Sequence, residues 1–341
     1  MISFILIFFA ALLVAFAATP VARRVALHGG VVANPSSQRF HQRTTPLLGG
    51  AAIYLASVVA LVLFSDRFYV PQLVGIFVGA TFVSFLGLWD DHSSLAPLVK
   101  LGGQVVAAGL LMATGIHVHV FESLPLDLAL TLIWIVVVVN ALNLVDNMDG
   151  LSSGIAAVAA AFFLILAVQS GQFLVGSLAA ALLGACLGFL YYNFNPATIF
   201  MGDSGALFLG YILAAVALKL KFDTSETLWW LIPILVLGVP LFDTILVFGS
   251  RIRRGVSPFR GGKDHVSHRL VSVGWTNREA VMALYLACGA LGIVAVLVAK
   301  STVIEGAAIG AILAVVAMMA IAKLEQIGGR DLQGSKTSDR L

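Results

Sequence analysis

Charged side chains are scarce in this sequence, and that scarcity excludes most classes of soluble protein. Asp, Glu, Lys and Arg make up only 11% of the 341 residues, whereas 60% of the residues are hydrophobic. A soluble domain of this length would carry about a quarter charged residues. The composition therefore predicts a protein embedded in a lipid bilayer, with no nucleic acid among its partners.

Alternating segments, cysteines and internal repeats are also rare or missing. No segments of about ten residues alternate in hydrophobicity, so a membrane β-barrel is not expected. The two cysteines, Cys186 and Cys288, lie within apolar runs. We interpret them as small packing residues rather than as a disulfide or a redox pair. No repeat is evident, which argues against a transporter built from inverted repeats.

What the sequence does contain is a series of apolar runs, many of them about as long as a membrane-spanning helix of roughly 20 residues. The expected fold class is all-α: a polytopic helical membrane protein with about eleven transmembrane helices. We expect residues 1–325 to form the membrane domain and residues 326–341 to form a short, disordered cytoplasmic tail. The eleven runs are approximately 2–22, 48–65, 69–89, 97–115, 127–143, 154–170, 173–191, 205–221, 227–248, 280–299 and 303–323.

Lysine and arginine are unevenly distributed between the two sets of loops. With the N-terminus outside, sixteen of the twenty Lys and Arg residues fall in inner loops or in the C-terminal tail. Positive residues favour the cytoplasmic side of a membrane. We therefore expect a multi-pass protein of the cytoplasmic (inner) membrane with a cytoplasmic C-terminus. His117 and His119 then belong to an outer loop, where we interpret them as surface residues.

Three of the predicted spans end in carboxylates or amides on the same, inner side. Such groups are costly to bury in hydrocarbon, so their position indicates a function. Asn140, Asn143 and Asp146 are three residues apart, and could share one helical face. We expect the three ends to meet around a metal ion and a diphosphate. The first of these ends carries Asp90 and Asp91, the second carries Asn140, Asn143, Asp146 and Asp149, and the third carries Asp203.

Two inner loops add basic residues to these carboxylates. The first loop contains His41 and Arg43, and the fourth contains His265 and His268 among seven Lys and Arg residues. Carboxylates hold Mg²⁺ through oxygen ligands, and basic side chains neutralise charge on phosphates, which is what phosphoryl transfer needs. The alternative for both loops is that their basic residues only fix the topology.

Five stretches of the chain, in this order and spacing, resemble the polyprenyl-phosphate N-acetylhexosamine-1-phosphate transferases (the WecA/TagO/MraY group, glycosyltransferase family 4). The resemblance extends over roughly residues 1–325. The matching stretches are RFHQRTTPLLGG (39–50), GLWDD (87–91), NALNLVDNMDGLSSG (140–154), NFNPATIFMGDSGALFLG (193–210) and PLFDTILVFGSRIRRGVSPFRGGKDHVSHRL (240–270).

The resemblance implies an enzyme with two substrates and a metal cofactor. Such an enzyme transfers N-acetylhexosamine 1-phosphate from a UDP-sugar to a polyprenyl (undecaprenyl) phosphate at the cytoplasmic membrane face. UMP is released, and the product starts the synthesis of a cell-envelope polysaccharide. The implied cofactor is Mg²⁺, with Mn²⁺ as a substitute. The expected partners are the UDP-N-acetylhexosamine, the polyprenyl phosphate and the bilayer, and a homodimer is left open.

The resemblance also assigns roles to particular residues. Asp90 and Asp91 are implied to be catalytic, and Asp203 and Asp91 to bind the metal. The residues implied to bind the nucleotide are Asn143, Asp146, Asp149, Asn193 and Phe200. Those implied to bind phosphate or sugar are His41, Arg43, Asn140, His265, His268 and Arg269.

Two alternatives to this function differ from it in sequence pattern. The branch that uses UDP-MurNAc-pentapeptide typically carries three closely spaced histidines in the fourth inner loop, whereas Ser267 stands at the middle position here. This difference favours the WecA/TagO branch and UDP-GlcNAc as the donor. An ion-coupled transporter would place its carboxylates near the bilayer midplane, whereas only Asp243 lies within a predicted span.

Overall fold

The computed structural model describes residues 1–33, 44–64, 70–221, 228–257 and 262–338. The chain divides into two compact units, Met1–Asp223 and Thr224–Leu341. Helices account for nearly all the regular structure of the described residues, so the predicted all-α fold class is confirmed. His41 and Arg43, assigned to phosphate or sugar from the sequence, lie outside the described residues.

The first unit is built from helices and one very short β-ladder. The two strands, β1 (Val32–Ala33) and β2 (Thr45–Pro46), pair antiparallel, with Val32 opposite Pro46. The helices are α1 (Ile2–Gly29), α2 (Gly49–Phe64), α3 (Val70–Ser93), α4 (Pro97–Ala113), α5 (Leu124–Leu144), α6 (Leu151–Gln169), α7 (Phe173–Asn193) and α8 (Gly202–Lys219).

Helix α8 lies at the centre of the first unit, in contact with α2, α3, α5, α6 and α7. A larger share of α8 is buried than of any other candidate span in the described residues. A helix enclosed by other helices needs apolar or small side chains on every face, and the sequence of α8 provides them. Asp203, in its first turn, is therefore a carboxylate placed at the end of the central helix.

Glycines allow neighbouring helices to approach the start of α8 closely. Gly87 of α3 lies against the backbone of Asp203, and a β-carbon at position 87 would come within 2.5 Å of the Asp203 carbonyl carbon. Gly50 of α2 packs in the same way on Gly205 of α8. Because these positions lack side chains, the ends of α2 and α3 reach the first turn of α8.

The segment before α2 is hydrogen-bonded to the segment before α8. The Phe200 N–H donates to the Pro46 carbonyl at 2.8 Å, and the Gly49 N–H donates to the Phe200 carbonyl at 2.9 Å. Gly202 follows with a φ of +70°, a conformation that glycine adopts without strain. These contacts determine where α8 begins, and so where Asp203 lies.

The second unit contains five helices within the described residues. Helix α12 contacts each of the other four, and it begins with a capping box formed by Thr276 and Glu279. The five are α9 (Leu231–Val236), α10 (Gly238–Arg253), α11 (Val266–Ser272), α12 (Asn277–Val298) and α13 (Val303–Ser338).

The C-terminal residues differ from the expectation of an irregular tail. Helix α13 continues to Ser338, so residues 326–338 are helical. Leu324, Glu325 and Gln326 are good helix formers that extend the apolar helix beyond its last span residues. The sequence-based prediction weighed the polarity of this segment and neglected its helix propensity.

The predicted apolar runs correspond to the observed helices, although their lengths vary. In the described part of the chain, eight helices are long and apolar enough to cross a membrane. Helices α2 and α4 are apolar but shorter, with 16 and 17 residues. The ninth run is interrupted at Leu237, between α9 and α10. Pro240 lacks the N–H that a continuous helix would direct to the Val236 carbonyl. A multi-pass membrane protein is confirmed, and the count of eleven crossings stays a prediction.

Candidate active site

Four side chains from four helices of the first unit form what we call the acidic cluster: Asp90, Lys100, Asn143 and Asp203. The Lys100 ammonium lies at its centre, with Nζ 2.6 Å from Asp90 Oδ2 and 2.5 Å from Asp203 Oδ2. Asn143 Nδ2 donates to Asp203 Oδ1 at 3.1 Å. The ends of α3, α5 and α8, which the sequence predicted to meet, therefore do so, and α4 joins them.

The acidic cluster is partly open and carries excess negative charge. The side chains of Asp90, Lys100 and Asp203 are 13%, 19% and 27% exposed. Two carboxylates share one ammonium, and Asp203 also lies in the first turn of α8, where the helix dipole stabilises an anion. Oxygen ligands that converge in a partly open, negatively charged site are suited to a hard divalent cation.

Asp91 makes a different set of contacts from its neighbour Asp90. Its Oδ1 accepts the Asp203 N–H at 2.8 Å, and its Oδ2 accepts the Ser204 N–H at 3.2 Å. No side chain of α8 itself caps that helix. Asp91 therefore satisfies two of the N–H groups that a helix start leaves unpaired, and it holds the Asp203 backbone in place.

Asp90 is held by its own chain as well as by Lys100. Its Oδ1 accepts the Leu95 N–H at 2.6 Å, in the turn that follows α3. Its Oδ2 is then directed at the Lys100 ammonium. The two adjacent aspartates thus have distinct tasks: Asp90 faces the cluster, and Asp91 anchors the helix that carries Asp203.

Sequence reasoning missed Lys100 and Gln104 as site residues. Lys100 was counted only among the positive charges that set the membrane topology. It is, however, the single charged residue in the apolar helix Pro97–Ala113. Gln104, one turn further along and 1% exposed, pairs with Asn140, whose Nδ2 donates to Gln104 Oε1 at 2.5 Å. A lysine and an amide four residues apart inside an apolar run were the signal that could have identified both.

The predicted shared face of Asn140, Asn143 and Asp146 is divided in the structure. Asn140 and Asn143 both belong to α5, where Asn140 contacts α4 and Asn143 contacts Asp203. Helix α5 ends at Leu144, so Asp146 lies in the turn beyond it. Its N–H donates to the Asn143 carbonyl at 3.2 Å.

Three residues assigned to the nucleotide lie in or beside the segment that leads into α8. Asp149 Oδ2 accepts hydrogen bonds from Asn195 Nδ2 at 3.0 Å and from the Ala197 N–H at 2.9 Å. Asn193 is 3% exposed, and its amide donates to the Ile199 carbonyl at 3.0 Å. Both side chains therefore shape this segment. Phe200 is partly exposed at its end.

In the second unit, the predicted phosphate-binding side chains are buried and paired internally. His265 Nδ1 lies 2.7 Å from Asp243 Oδ2. Arg269 donates to the carbonyls of Asp264 and Leu324, at 2.9 and 2.7 Å. His265, His268 and Arg269 are 5%, 6% and 3% exposed. Their assignment to phosphate or sugar stays a prediction.

Asp264 is the centre of a second group of charges, which we call the arginine–aspartate cluster: Arg251, Arg254 and Asp264. Arg251 binds Asp264 through two hydrogen bonds, at 2.9 and 2.7 Å, and Arg254 adds a third at 2.7 Å. Burial raises the pKa of Asp264, but the hydrogen bonds and charges of the two guanidinium groups outweigh burial and lower it to about 2. Burial also lowers the pKa of His268 to about 4, so this imidazole is neutral at pH 7.

Comparison with known proteins identifies the relatives of this chain. The family model described as "Glycosyl transferase family 4" matches residues 73–221, which contain the whole acidic cluster. The chain is 34% identical to the "Probable undecaprenyl-phosphate N-acetylglucosaminyl 1-phosphate transferase" of Bacillus subtilis (strain 168), over 89% of this chain and 87% of the relative.

The chain is also similar to two further bacterial proteins. The chain is 32% identical to the "Decaprenyl-phosphate N-acetylglucosaminephosphotransferase" of Mycolicibacterium smegmatis, over 82% of this chain and 78% of the relative. It is 26% identical to the "Undecaprenyl-phosphate alpha-N-acetylglucosaminyl 1-phosphate transferase" of Yersinia pestis, over 83% of this chain and 81% of the relative. These similarities extend over most of both chains in each pair. The family resemblance inferred from the sequence is therefore confirmed: this chain belongs to glycosyl transferase family 4.

Proposed function

We propose that this protein transfers N-acetylglucosamine 1-phosphate from UDP-N-acetylglucosamine to a polyprenyl phosphate and releases UMP. The observation that carries the proposal is the convergence of Asp90 and Asp203, from the ends of two helices, on the Lys100 ammonium, with Asn143 donating to Asp203 from the end of a third. The names of the three relatives, each of which specifies N-acetylglucosamine and a polyprenyl phosphate, support this choice of sugar and acceptor.

The reaction exchanges one phosphorus–oxygen bond for another. A phosphate oxygen of the polyprenyl phosphate attacks the β-phosphorus of the UDP-sugar. The bond from that phosphorus to the oxygen bridging it to the α-phosphorus breaks, and UMP leaves with both bonding electrons. The product is polyprenyl diphosphate N-acetylglucosamine, so no water or redox partner is consumed.

The acidic cluster has residues suited to both substrates, the acceptor phosphate and the diphosphate of the UDP-sugar. Asp90, held by the Leu95 N–H and directed at Lys100, can accept the last proton of the acceptor phosphate or orient its attacking oxygen. The Lys100 ammonium can transfer its hydrogen bonds from the carboxylates to the diphosphate and neutralise its charge. Asp91 positions Asp203 by holding its backbone N–H.

A divalent cation, Mg²⁺ or Mn²⁺, fits the acidic cluster by the chemistry of its donors. Carboxylate oxygens of Asp203 and Asp90 already converge on one cation, the Lys100 ammonium, and such oxygens are the ligands that Mg²⁺ prefers. We assign these two carboxylates to the metal. Both oxygens of Asp91, the second ligand expected from the sequence, accept backbone N–H groups. When bound, the ion supplies charge neutralisation for the reacting phosphates.

The proposal also places the reaction at a membrane face. The sorting of sixteen of the twenty Lys and Arg residues to one set of loops supports an active site on the cytoplasmic side of the inner membrane, with the N-terminus outside. A UDP-sugar is a soluble cytoplasmic metabolite, and a polyprenyl phosphate lies in the bilayer. A partly open cluster at the ends of membrane helices would meet both.

The test is UMP release by the purified full-length protein in detergent. UDP-GlcNAc, UDP-GalNAc and UDP-MurNAc-pentapeptide are supplied separately, each with and without polyprenyl phosphate and Mg²⁺. We expect release with UDP-GlcNAc only when both are present, and its loss when EDTA is added. Release in the absence of the lipid phosphate would contradict the transfer reaction. A preference for UDP-MurNAc-pentapeptide would contradict the proposed donor.

A further inference from the structure

A second group of metal-ligand side chains lies at the other end of the α4–α5 pair. His117 and His119 belong to the connection between these helices, and Asp127 lies in the first turn of α5. One ligand atom from each of the three lies within 4.8 Å of those from the other two. Asp127 and Asn143 lie sixteen residues apart on α5, so about 24 Å separates this group from the acidic cluster.

The connection presents its two histidines on the same side. Ile116 and Val118 are 3% and 7% exposed, whereas His117 is half-buried and His119 is exposed. This alternation is typical of an extended chain, in which residues two apart point the same way. The rings of His117 and His119 consequently lie close, with centroids 4.2 Å apart.

A hydrogen bond determines which nitrogen of His117 is available as a ligand. His117 Nδ1 lies 2.9 Å from the Val118 carbonyl oxygen. A carbonyl can only accept, so Nδ1 must carry the proton in the neutral ring. Nε2 then has the free lone pair, which is the usual arrangement of a metal-binding histidine whose other nitrogen donates to a backbone oxygen.

Asp127 is positioned by the same connection. Its Oδ1 accepts the N–H groups of Val120 and Phe121 at 3.0 and 2.9 Å, while Oδ2 is left for another partner. The residue is only 4% exposed, and buried carboxylates are usually paired or bound to a metal. Residues 114–127 contain no lysine or arginine that could serve as the counter-ion.

We propose that His117, His119 and Asp127 bind one divalent transition-metal ion of the zinc class. Two imidazoles and one carboxylate, with a water as fourth ligand, are a known zinc set. Tetrahedral coordination with bonds of about 2.0–2.1 Å would bring the ligand atoms to about 3.3 Å from one another. The exposed His119 side chain can make this small closure, so the ion would fasten the connection to the start of α5.

The experiment measures zinc binding by the full-length protein in detergent, with excess Mg²⁺ present to occupy oxygen-only sites. After treatment with a chelator, the protein is dialysed against Zn²⁺, and retained zinc is counted by elemental analysis. Co²⁺ is titrated in parallel, because its visible absorption reports tetrahedral nitrogen and oxygen ligands. We expect one Zn²⁺ per chain, and an affinity at least about tenfold weaker in His119→Ala and in Asp127→Asn.

Both variants are chosen to preserve the fold. His119 is exposed, and the amide oxygen of an asparagine at position 127 can still accept the two backbone N–H groups. His28→Ala, at an exposed histidine in the last turn of α1, is the matched control and should retain zinc like the wild type. Equal retention by the wild type and His119→Ala would overturn the proposal. Loss of zinc from Asp203→Asn but not from His119→Ala would also do so, because it would place the ion in the acidic cluster.

Discussion

The acidic cluster and the arginine–aspartate cluster use the same kinds of charged groups in opposite ways. In the acidic cluster, one ammonium is shared between two carboxylates, and the Asp203 side chain is 27% exposed. In the arginine–aspartate cluster, two guanidinium groups enclose the carboxylate of Asp264, and Arg251 is only 4% exposed.

Because of this difference, the acidic cluster can exchange its ammonium for another cation, whereas the arginine–aspartate cluster cannot exchange its partners. Two carboxylates with one cation leave negative charge and oxygen lone pairs for a further cation. A bidentate, buried Arg–Asp pair has its hydrogen bonds satisfied, and removing either member leaves an uncompensated charge. We therefore expect substitutions in the first cluster to change activity, and substitutions in the second to change stability.

The largest effect is expected from Asp203→Asn. This change removes a negative charge from the acidic cluster while keeping the size of the side chain and an acceptor for Lys100. UMP release should fall by about three orders of magnitude, with no change in denaturant unfolding. Glu122→Gln, an exposed carboxylate in the α4–α5 connection, should keep wild-type activity. Equal activity in the two variants would remove Asp203 from the active site.

Arg251→Met should chiefly reduce stability. The substitution leaves the buried carboxylate of Asp264 without its bidentate partner, and the free energy of unfolding should fall by about 3 kcal/mol. The measurement is denaturant unfolding in detergent. Arg253→Met is the matched control, because Arg253 is 59% exposed and pairs with Glu325. Such a surface pair is worth less than about 1 kcal/mol. Similar losses in both variants would contradict the distinction between the clusters.

Lys100→Met tests whether the acidic cluster exchanges its cation. The diphosphate would lose an ammonium partner, so the maximal rate of UMP release should fall about 100-fold. The cluster would also become more negative, so the Mg²⁺ concentration that gives half-maximal release should decrease. Lys300→Met, at an exposed lysine, should change neither quantity. A higher Mg²⁺ requirement in Lys100→Met would argue that the lysine and the metal do not compete for these carboxylates.

The smallest effect is a dependence of stability on pH in the second unit. The pKa of His268 is about 4 in the folded protein, below its ordinary value of about 6.5. The unfolded chain therefore binds more protons between pH 4 and 6.5, so stability rises with pH through this window. The loss at pH 5 relative to pH 7 should be about 2 kcal/mol.

Unfolding of the wild type and His268→Gln at pH 5 and pH 7 measures this contribution. The variant cannot take up the proton, so its free energy of unfolding should differ less between the two pH values than that of the wild type, by about 2 kcal/mol. An undiminished difference would show that the pH dependence arises from a group other than His268. That group is not Asp264, because its pKa of about 2 places its contribution below pH 4.

Several features were predictable because they depend on composition and local pattern. Apolar runs gave the positions of the helices, and the carboxylates and amides at their ends identified Asp90, Asn143 and Asp203 as residues that would meet. The histidines and Arg269 of the fourth inner loop were harder to interpret. His265 and Arg269 fit a phosphate-binding pattern, but their side chains are engaged by Asp243, Leu324 and other groups of the second unit.

The sequence by itself determined the fold class, the family and the helix ends at which the acidic cluster lies, because hydrophobicity and motif spacing are local properties of the chain. Only the tertiary structure decided which polar groups pair. Gly87 brings α3 against the backbone of Asp203, which assigns Asp91 to that backbone and leaves Asp90 for Lys100. Likewise, Asp127 joins His117 and His119 only because α5 begins beside their connection. Partner choice depends on how closely helices distant in sequence approach, and no local pattern encodes that distance.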